Sequence, residues 1–301
     1  MTGGAPAAGL PRVVAVGGGH GLAASIAAVR RYAGHVTAVV SVADDGGSSG
    51  RLREALGISP PGDLRRCLVA MGDPDSLWSR AFEHRFDAGD LEGHSLGNVV
   101  IAGLSAVTGD FLSALGEAGR LVGVGASGQV LPATATPVVL EAEGENATVR
   151  GQLAVATDRR AGRIKRVSIT PRDAASPPAV VEAVGRADQV VLGPGSLFTS
   201  VLAALAAPAL AEALAATSAQ RVYVCNLGPQ EPETLGYDAA GHVEALLAHG
   251  VAIDAVLCDP RFRPADEARL PVPVHTRDVG RDDGRGHDPV RLGDALADLL
   301  R

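Results

Sequence analysis

A chain of 301 residues is at the upper edge of what one hydrophobic core organises, so one elaborated domain or two lobes are expected. Lysine and arginine number 27 against 34 aspartate and glutamate, a net charge of −7, which argues against non-specific nucleic-acid binding through a global positive field. The three cysteines, Cys67, Cys225 and Cys258, form no CxxC pair, which points to buried reduced thiols and away from a zinc site or a disulfide framework.

In chain order, residues 1–11 show no basic segment followed by an apolar one and read as a flexible tail without a secretory signal. Apolar runs then predict strands at Val13–Val16, Val36–Val42, Val138–Ala142, Val167–Ile169, Val190–Gly193, Val222–Asn226 and Ala255–Cys258. Between them a 3.6-residue period predicts helices at Leu22–Tyr32, Asp63–Met71, Leu96–Val107 and His242–His249, with Asp63, Ser95 and Asp110 as cap candidates. The alternation predicts an α/β fold: a Rossmann-like, doubly wound, mostly parallel sheet in a single domain over 12–301. Residues 128–157 break the rhythm, with extended pieces at Gln129–Pro132, Val138–Glu143 and Thr148–Leu153, and predict a small β-rich insertion. The apolar stretch Leu197–Ala216 is interrupted by Pro208 and Glu212 and suits a buried helix pair better than a membrane span. A soluble cytoplasmic protein is expected, with no nucleic-acid or membrane partner and with a homodimer as its assembly.

Four loops carry the chemistry. Gly17-Gly18-Gly19-His20-Gly21 follows the first strand, and Asp44-Asp45-Gly46-Gly47-Ser48-Ser49 follows the second. Each reads as strand, bare-backbone loop, then helix, an arrangement that aims free N–H groups at an anion. The first is not the dinucleotide fingerprint, which would need glycine where Leu22 stands, and no nucleotide-loop lysine follows. A third loop, Gly193-Pro194-Gly195-Ser196, and a fourth, opening at Asn226, end later strands, so all four belong to the edge where doubly wound sheets bind ligands. A tight turn alone would also use such glycines. Adjacent carboxylates repel a phosphate, so Asp44 and Asp45 suggest a sugar hydroxyl, a divalent metal or a cationic partner. Alternation sends their side chains to opposite sides; Asp45, next to the glycines, is expected nearer the ligand, with Asp44 securing the loop. His94 and Asn98 lie one turn apart and could orient a substrate or simply open a helix, and Arg65, Arg66 and Arg85 could neutralise a phosphate.

At these residues the chain resembles the YvcK family of bacterial gluconeogenesis factors, a branch of the CofD-like superfamily. The resemblance rests on Val-Gly-Gly-Gly-His-Gly-Leu (16–22), Val-Ala-Asp-Asp-Gly-Gly-Ser-Ser-Gly-Arg-Leu-Arg (42–53) and Pro-Pro-Gly-Asp-Leu-Arg (60–65). It continues through Gly-His-Ser-Leu-Gly-Asn (93–98), Val-Leu-Pro-Ala (130–133), Gly-Pro-Gly-Ser-Leu-Phe-Thr-Ser (193–200) and Val-Cys-Asn (224–226). It implies a Rossmann-like protein that binds a UDP-sugar such as UDP-N-acetylglucosamine and is needed for cell shape and wall synthesis in gluconeogenic growth. The alternative it carries is a metal-dependent 2-phospho-L-lactate transferase acting on the deazaflavin Fo. In the transferases the loop matching Asp44 and Asp45 sits by metal and acceptor, which implies Asp45 and Asp63 as candidate ligands of a Mg2+ ion. Under the UDP-sugar reading Asp44 or Asp45 holds a ribose or sugar hydroxyl. Two departures stand out: His20 replaces the family's usual threonine, and Gln230-Glu231-Pro232-Glu233-Thr234 replaces Gln-Pro-Gly-Glu-Thr.

Overall fold

The computed structural model describes residues 9–230, 232–234 and 236–300; most of the expected N-terminal tail and Glu231 lie outside that range. Seven parallel strands form the main sheet: β1 (Arg12–Gly17), β2 (His35–Val40), β3 (Gly128–Pro132), β7 (Gln189–Leu192), β8 (Gln220–Val224), β9 (Ala255–Cys258) and β10 (Val274–Thr276). Their order is β10-β9-β8-β7-β1-β2-β3. The chain starts at β1, winds outward through β2 and β3, then returns to β7 on the other side of β1 and winds outward again. The switch point therefore lies between β1 and β7, which pair directly from Val13↔Gln189 to Val16↔Leu192. Strands buried on both faces need no polar alternation, which is why Val13 to Val16 and Val190 to Leu192 read as unbroken apolar runs.

A second sheet is antiparallel, in the order β5-β4-β6, from β4 (Val139–Gly144), β5 (Thr148–Arg150) and β6 (Ile164–Thr170). The segment 128–157 thus divides. Gly128–Pro132 is the edge strand of the main sheet, paired with Val36 to Val40, while only the later pieces enter the small sheet. The extended reading of Thr148–Leu153 is corrected too, since Gln152–Thr157 is helical. The apolar stretch 197–216 forms two helical pieces, Leu197–Leu205 and Pro208–Ala216, bent by 78°; no single helix among the described residues is long and apolar enough to cross a membrane.

The helices that position the site are α1 (Gly19–Val29), α2 (Gly47–Leu56), α3 (Gly62–Met71), α4 (Leu77–Glu83), α5 (Leu96–Thr108) and α6 (Phe111–Leu121), then α7 (Gln152–Thr157), α8 (Pro178–Gly185), α9 (Leu202–Leu205), α10 (Pro208–Ala216), α11 (Ala239–Ala248) and α12 (Pro289–Leu300). α1 starts three residues earlier than its apolar period predicts, because the loop glycines themselves wind into its first turn. α12 packs on α1, and Gly293 makes this contact possible: a Cβ there would stand 2.7 Å from the Ala28 carbonyl oxygen. Gln189 and Gln220 donate to the Leu296 and Leu299 carbonyls, tying α12 to β7 and β8.

Two of the three expected caps are corrected. Asp63 sits inside the first turn of α3, and Ser49 Oγ, not Asp63, takes the Gly62 N–H at 3.1 Å. The buried Ser95 hydroxyl has no partner among the described residues, whereas Asp110 accepts from Ser113 N–H as expected. All three cysteines are buried and free. Cys225 and Cys258, remote in sequence, meet at 3.0 Å between Sγ atoms because β8 and β9 are neighbours; this contact and burial push the Cys225 thiol well up.

Candidate functional site

All four loops emerge at the carboxyl edge of the main sheet. The first and third flank the switch point and touch: a Cβ on Gly21 would overlap the Pro194 carbonyl and press on Gly195, so only glycine allows this approach. Gly193 (φ +77°) and Gly195 (φ +141°) hold the third loop in backbone conformations that disfavour other residues. Asn226 clamps it from β8. Its Oδ1 accepts from Gly195 N–H at 2.9 Å, and its Nδ2 donates to the Gly195 carbonyl at 3.0 Å and to Gln230 Oε1 at 3.1 Å. Ser25 of α1 donates to the Gly193 carbonyl at 2.5 Å.

The helical run that follows opens with a π-turn, Leu197–Val201, whose start is held by Glu233. This buried carboxylate accepts from Phe198 N–H (2.6 Å), Thr199 N–H (2.9 Å) and Thr199 Oγ1 (3.0 Å). Burial pushes its pKa up, against the pull of these donors and of the Ser196 hydroxyl. Ser196, expected at the ligand, is thus engaged with Glu233, a residue that sequence reading had left out of the site.

The two aspartates of the carboxylate loop diverge, as alternation predicts, and each accepts a backbone N–H. Asp44 faces Asp63, and its Oδ1 accepts the Gly46 N–H at 3.0 Å. Asp45 turns outward and takes the Leu153 N–H at 2.9 Å, pinning the loop to α7. Asp63 also braces the first glycine loop: a Cβ on Gly18 would stand 2.8 Å from its Oδ2. Burial and the Asp44 charge push the Asp63 pKa up, against Arg66 at 2.8 Å and the Gly19 N–H. A resident Mg2+ does not fit the expected pair, because Asp45 and Asp63 point apart and Asp63 is already engaged. Among the described residues no cluster of three His, Cys, Asp or Glu could hold a metal. Asp44 could meet a cation only if a ligand's phosphates supplied further oxygens.

Behind Asp44 runs a buried polar chain. Arg65 Nε donates to Asn98 Oδ1 (3.1 Å), Asn98 Nδ2 donates to Ser48 Oγ (3.0 Å), and Ser48 Oγ meets His94 Nδ1 at 2.9 Å. Glu83 closes it at Arg65, 2.5 Å away. The arginine fixes which way the Asn98 amide points and thereby what Ser48 can do with its proton. Burial, then Arg51 and Arg85, lower the His94 pKa.

These residues line three chambers: one of about 710 Å³ beside the carboxylate loop, bordered by Asp45, Gly47, Ser48, Arg51 and Arg85, and two more. The larger of these two, about 710 Å³, lies over the switch point between His20, Gly21, Gly195, Asn226 and Gln230 on one side and Arg281, Arg285 and His287 on the other. Its floor includes Ala23, Ala24 and Ala27 of α1. The smaller, about 270 Å³, is lined by Asp44, Gly46, Gly47, Ser48, Ser49, Asp63, Arg65, Arg66, Arg85 and Asn98. Gly17, Gly18, Gly19, Gly193, Ser196 and His94 stand behind these walls as supports. Sequence reading missed the Arg281–His287 wall, although Gly280-Arg-Asp-Asp-Gly-Arg-Gly-His287 has the same glycine-rich, charged character as the other loops and also precedes a helix. It is held by Asp259, whose carboxylate accepts from Val279 N–H (3.1 Å) and Gly280 N–H (3.0 Å), and by His287 against the Cys225 carbonyl (3.1 Å). Arg261 beside Asp259 keeps that carboxyl far below the usual range.

A parallel seven-strand sheet with a polar chamber over its switch point defines a Rossmann-like α/β protein. The chain belongs to the CofD family, whose description is 2-phospho-L-lactate transferase CofD, matched over residues 13–281. Within it, the chain is 43% identical over 316 residues to the gluconeogenesis factor of Bacillus subtilis strain 168, covering 97% of this chain and 98% of that one. It is 42% identical over 309 residues to a putative gluconeogenesis factor of Mycobacterium tuberculosis H37Rv, covering 94% and 89%. The fold matches a crystal structure of a upf0052 family member from Bacillus halodurans with a TM-score of 0.88 at 35% identity, over 97% of this chain and 100% of that one.

Proposed function

We propose that the larger chamber binds a nucleoside diphosphate sugar of the UDP-N-acetylglucosamine type, and that the protein acts as a cytoplasmic regulator of cell shape and wall synthesis in gluconeogenic growth. The supporting observation is the pairing of unlike walls. On one side stand the N-terminus of α1, with no side-chain cap and no acidic residue in its first turn, and the clamped Pro194–Gly195 backbone. On the other stands the Arg285 guanidinium, which has no carboxylate or hydrogen-bond partner among the described residues. A diphosphate between them would meet backbone dipole and guanidinium together. The name gluconeogenesis factor, carried by the relatives, supports the link to gluconeogenic growth.

The rival reading, a phospholactate transferase acting on Fo, calls for a surface on which a tricyclic ring can stack. No Phe, Tyr or Trp lines the larger chamber, which favours the sugar nucleotide. Titration calorimetry against UDP-N-acetylglucosamine, NAD and Fo tests the choice. Saturable UDP-sugar binding that Arg285→Ala weakens is the expected result; silence at millimolar UDP-sugar with saturable Fo binding overturns it.

A further inference from the structure

We propose a second binding site, for a small oxyanion bearing a short apolar group, in the pocket between β6, α9 and the C-terminal end of α11. A helix that follows a parallel strand runs back along the sheet, so the end of α11 lies toward the edge opposite the cleft. The pocket, about 230 Å³, is lined by Arg166, Ser168 and Arg172 on one side and by Leu202, Leu205 and Val251 on the other.

The polar side is unspent. Neither Arg166 nor Arg172 forms an ion pair or a side-chain hydrogen bond among the described residues. Arg166 has Glu143 directly across the ladder, and Arg172 has Asp173 as its chain neighbour, yet neither carboxylate comes within ion-pair distance. The other polar group at the rim, His249, is committed. Its Nδ1 meets the Ala245 carbonyl at 2.7 Å and its Nε2 accepts the Val167 N–H at 3.0 Å, so a neutral His249 offers an incoming anion no donor. What remains is two guanidinium forks with a serine hydroxyl between them in sequence, facing leucine and valine. Planar forks match an oxyanion through paired N–H donors, and the aliphatic wall rewards a ligand with a small carbon substituent. The site is separate from the cleft, and its existence does not depend on what the cleft binds.

Titration of the full chain with inorganic phosphate and with propyl phosphate is the test, using Arg285→Ala to disable the cleft. The site predicts saturable binding that persists in Arg285→Ala and is several-fold tighter for propyl phosphate. Both arginines are exposed. Arg166→Ala/Arg172→Ala should therefore leave the unfolding curve unchanged while weakening propyl phosphate binding about tenfold or more. Arg166→Lys/Arg172→Lys should fall between, keeping charge and losing the forks. The proposal is overturned if the double alanine variant binds as the wild type does, if binding disappears in Arg285→Ala instead, or if the wild type shows no saturable binding at millimolar ligand.

Discussion

Asn226 is the residue whose removal should show most clearly how the cleft is held. Its side chain, 6% exposed, makes one accepting and two donating hydrogen bonds, to Gly195 N–H, the Gly195 carbonyl and Gln230. At a net worth of about 1 kcal/mol each, Asn226→Ala should cost roughly 2–3 kcal/mol. In a chain of this size that is a fall in Tm of roughly 3–5 °C. Asn226→Asp separates shape from donor chemistry. It keeps the acceptor for Gly195 N–H but turns an oxygen toward the Gly195 carbonyl and Gln230 Oε1. At neutral pH it should be destabilised at least as much as the alanine variant, and it should recover as acidification protonates the new carboxyl. Urea unfolding measures the stabilities and calorimetry the affinity, which should drop at least about tenfold in both variants once the Gly195 wall loosens. If both variants lie within about 0.5 kcal/mol of wild type and bind equally well, the clamp does not hold the loop.

Burial lowers the pKa of both His242 and His287 from 6.5 to about 4. The folded state then binds fewer protons than the unfolded one between these values, so the stability each contributes is present above pH 6.5 and is lost as pH falls toward 4. His287→Gln should flatten that part of a stability–pH curve, by up to roughly 3 kcal/mol at its acid end. Gly21→Ala should force the Pro194 carbonyl away, lowering ligand affinity about tenfold or more with a measurable loss of Tm; an unchanged titration would show that the two loops need not touch. Asp45→Asn should mainly lower Tm, because its bond to Leu153 N–H is structural, whereas Asp44→Asn should change ligand affinity and its dependence on Mg2+. The opposite pattern would mark Asp45 as the residue facing the ligand.

The sheet was legible because parallel strands buried on both faces leave uninterrupted apolar runs, and the runs of β1, β2 and β7 lead into glycine-rich loops. The switch point was legible only in part: four loops at one edge follow from the alternation, but which two flank the crevice depends on strand order. Gln129–Pro132 was misplaced for that reason, since a five-residue edge strand looks the same in either sheet. Alternation says that the two aspartate side chains diverge without saying which of them stands beside Asp63. Glu233 was passed over because a buried carboxylate bound to backbone N–H groups 34 and 35 residues away leaves no local signal.

The abundance of alanine in this chain reads first as a device for bringing helices close to the sheet. Along α1 it does something else. Ala23, Ala24 and Ala27 face the larger chamber, while the next residue, Ala28, meets α12 at Gly293. One helix thus sets the depth of the chamber through its methyl groups and, through the Ala28 backbone carbonyl, the distance at which α12 packs on it. Apart from glycine, no residue is smaller than alanine, so nearly any substitution along this stripe can only make the chamber shallower. Ligand size is in this way limited by three methyl groups that need form no hydrogen bond to the ligand, and a larger side chain at any of them would exclude the bulkier ligands first.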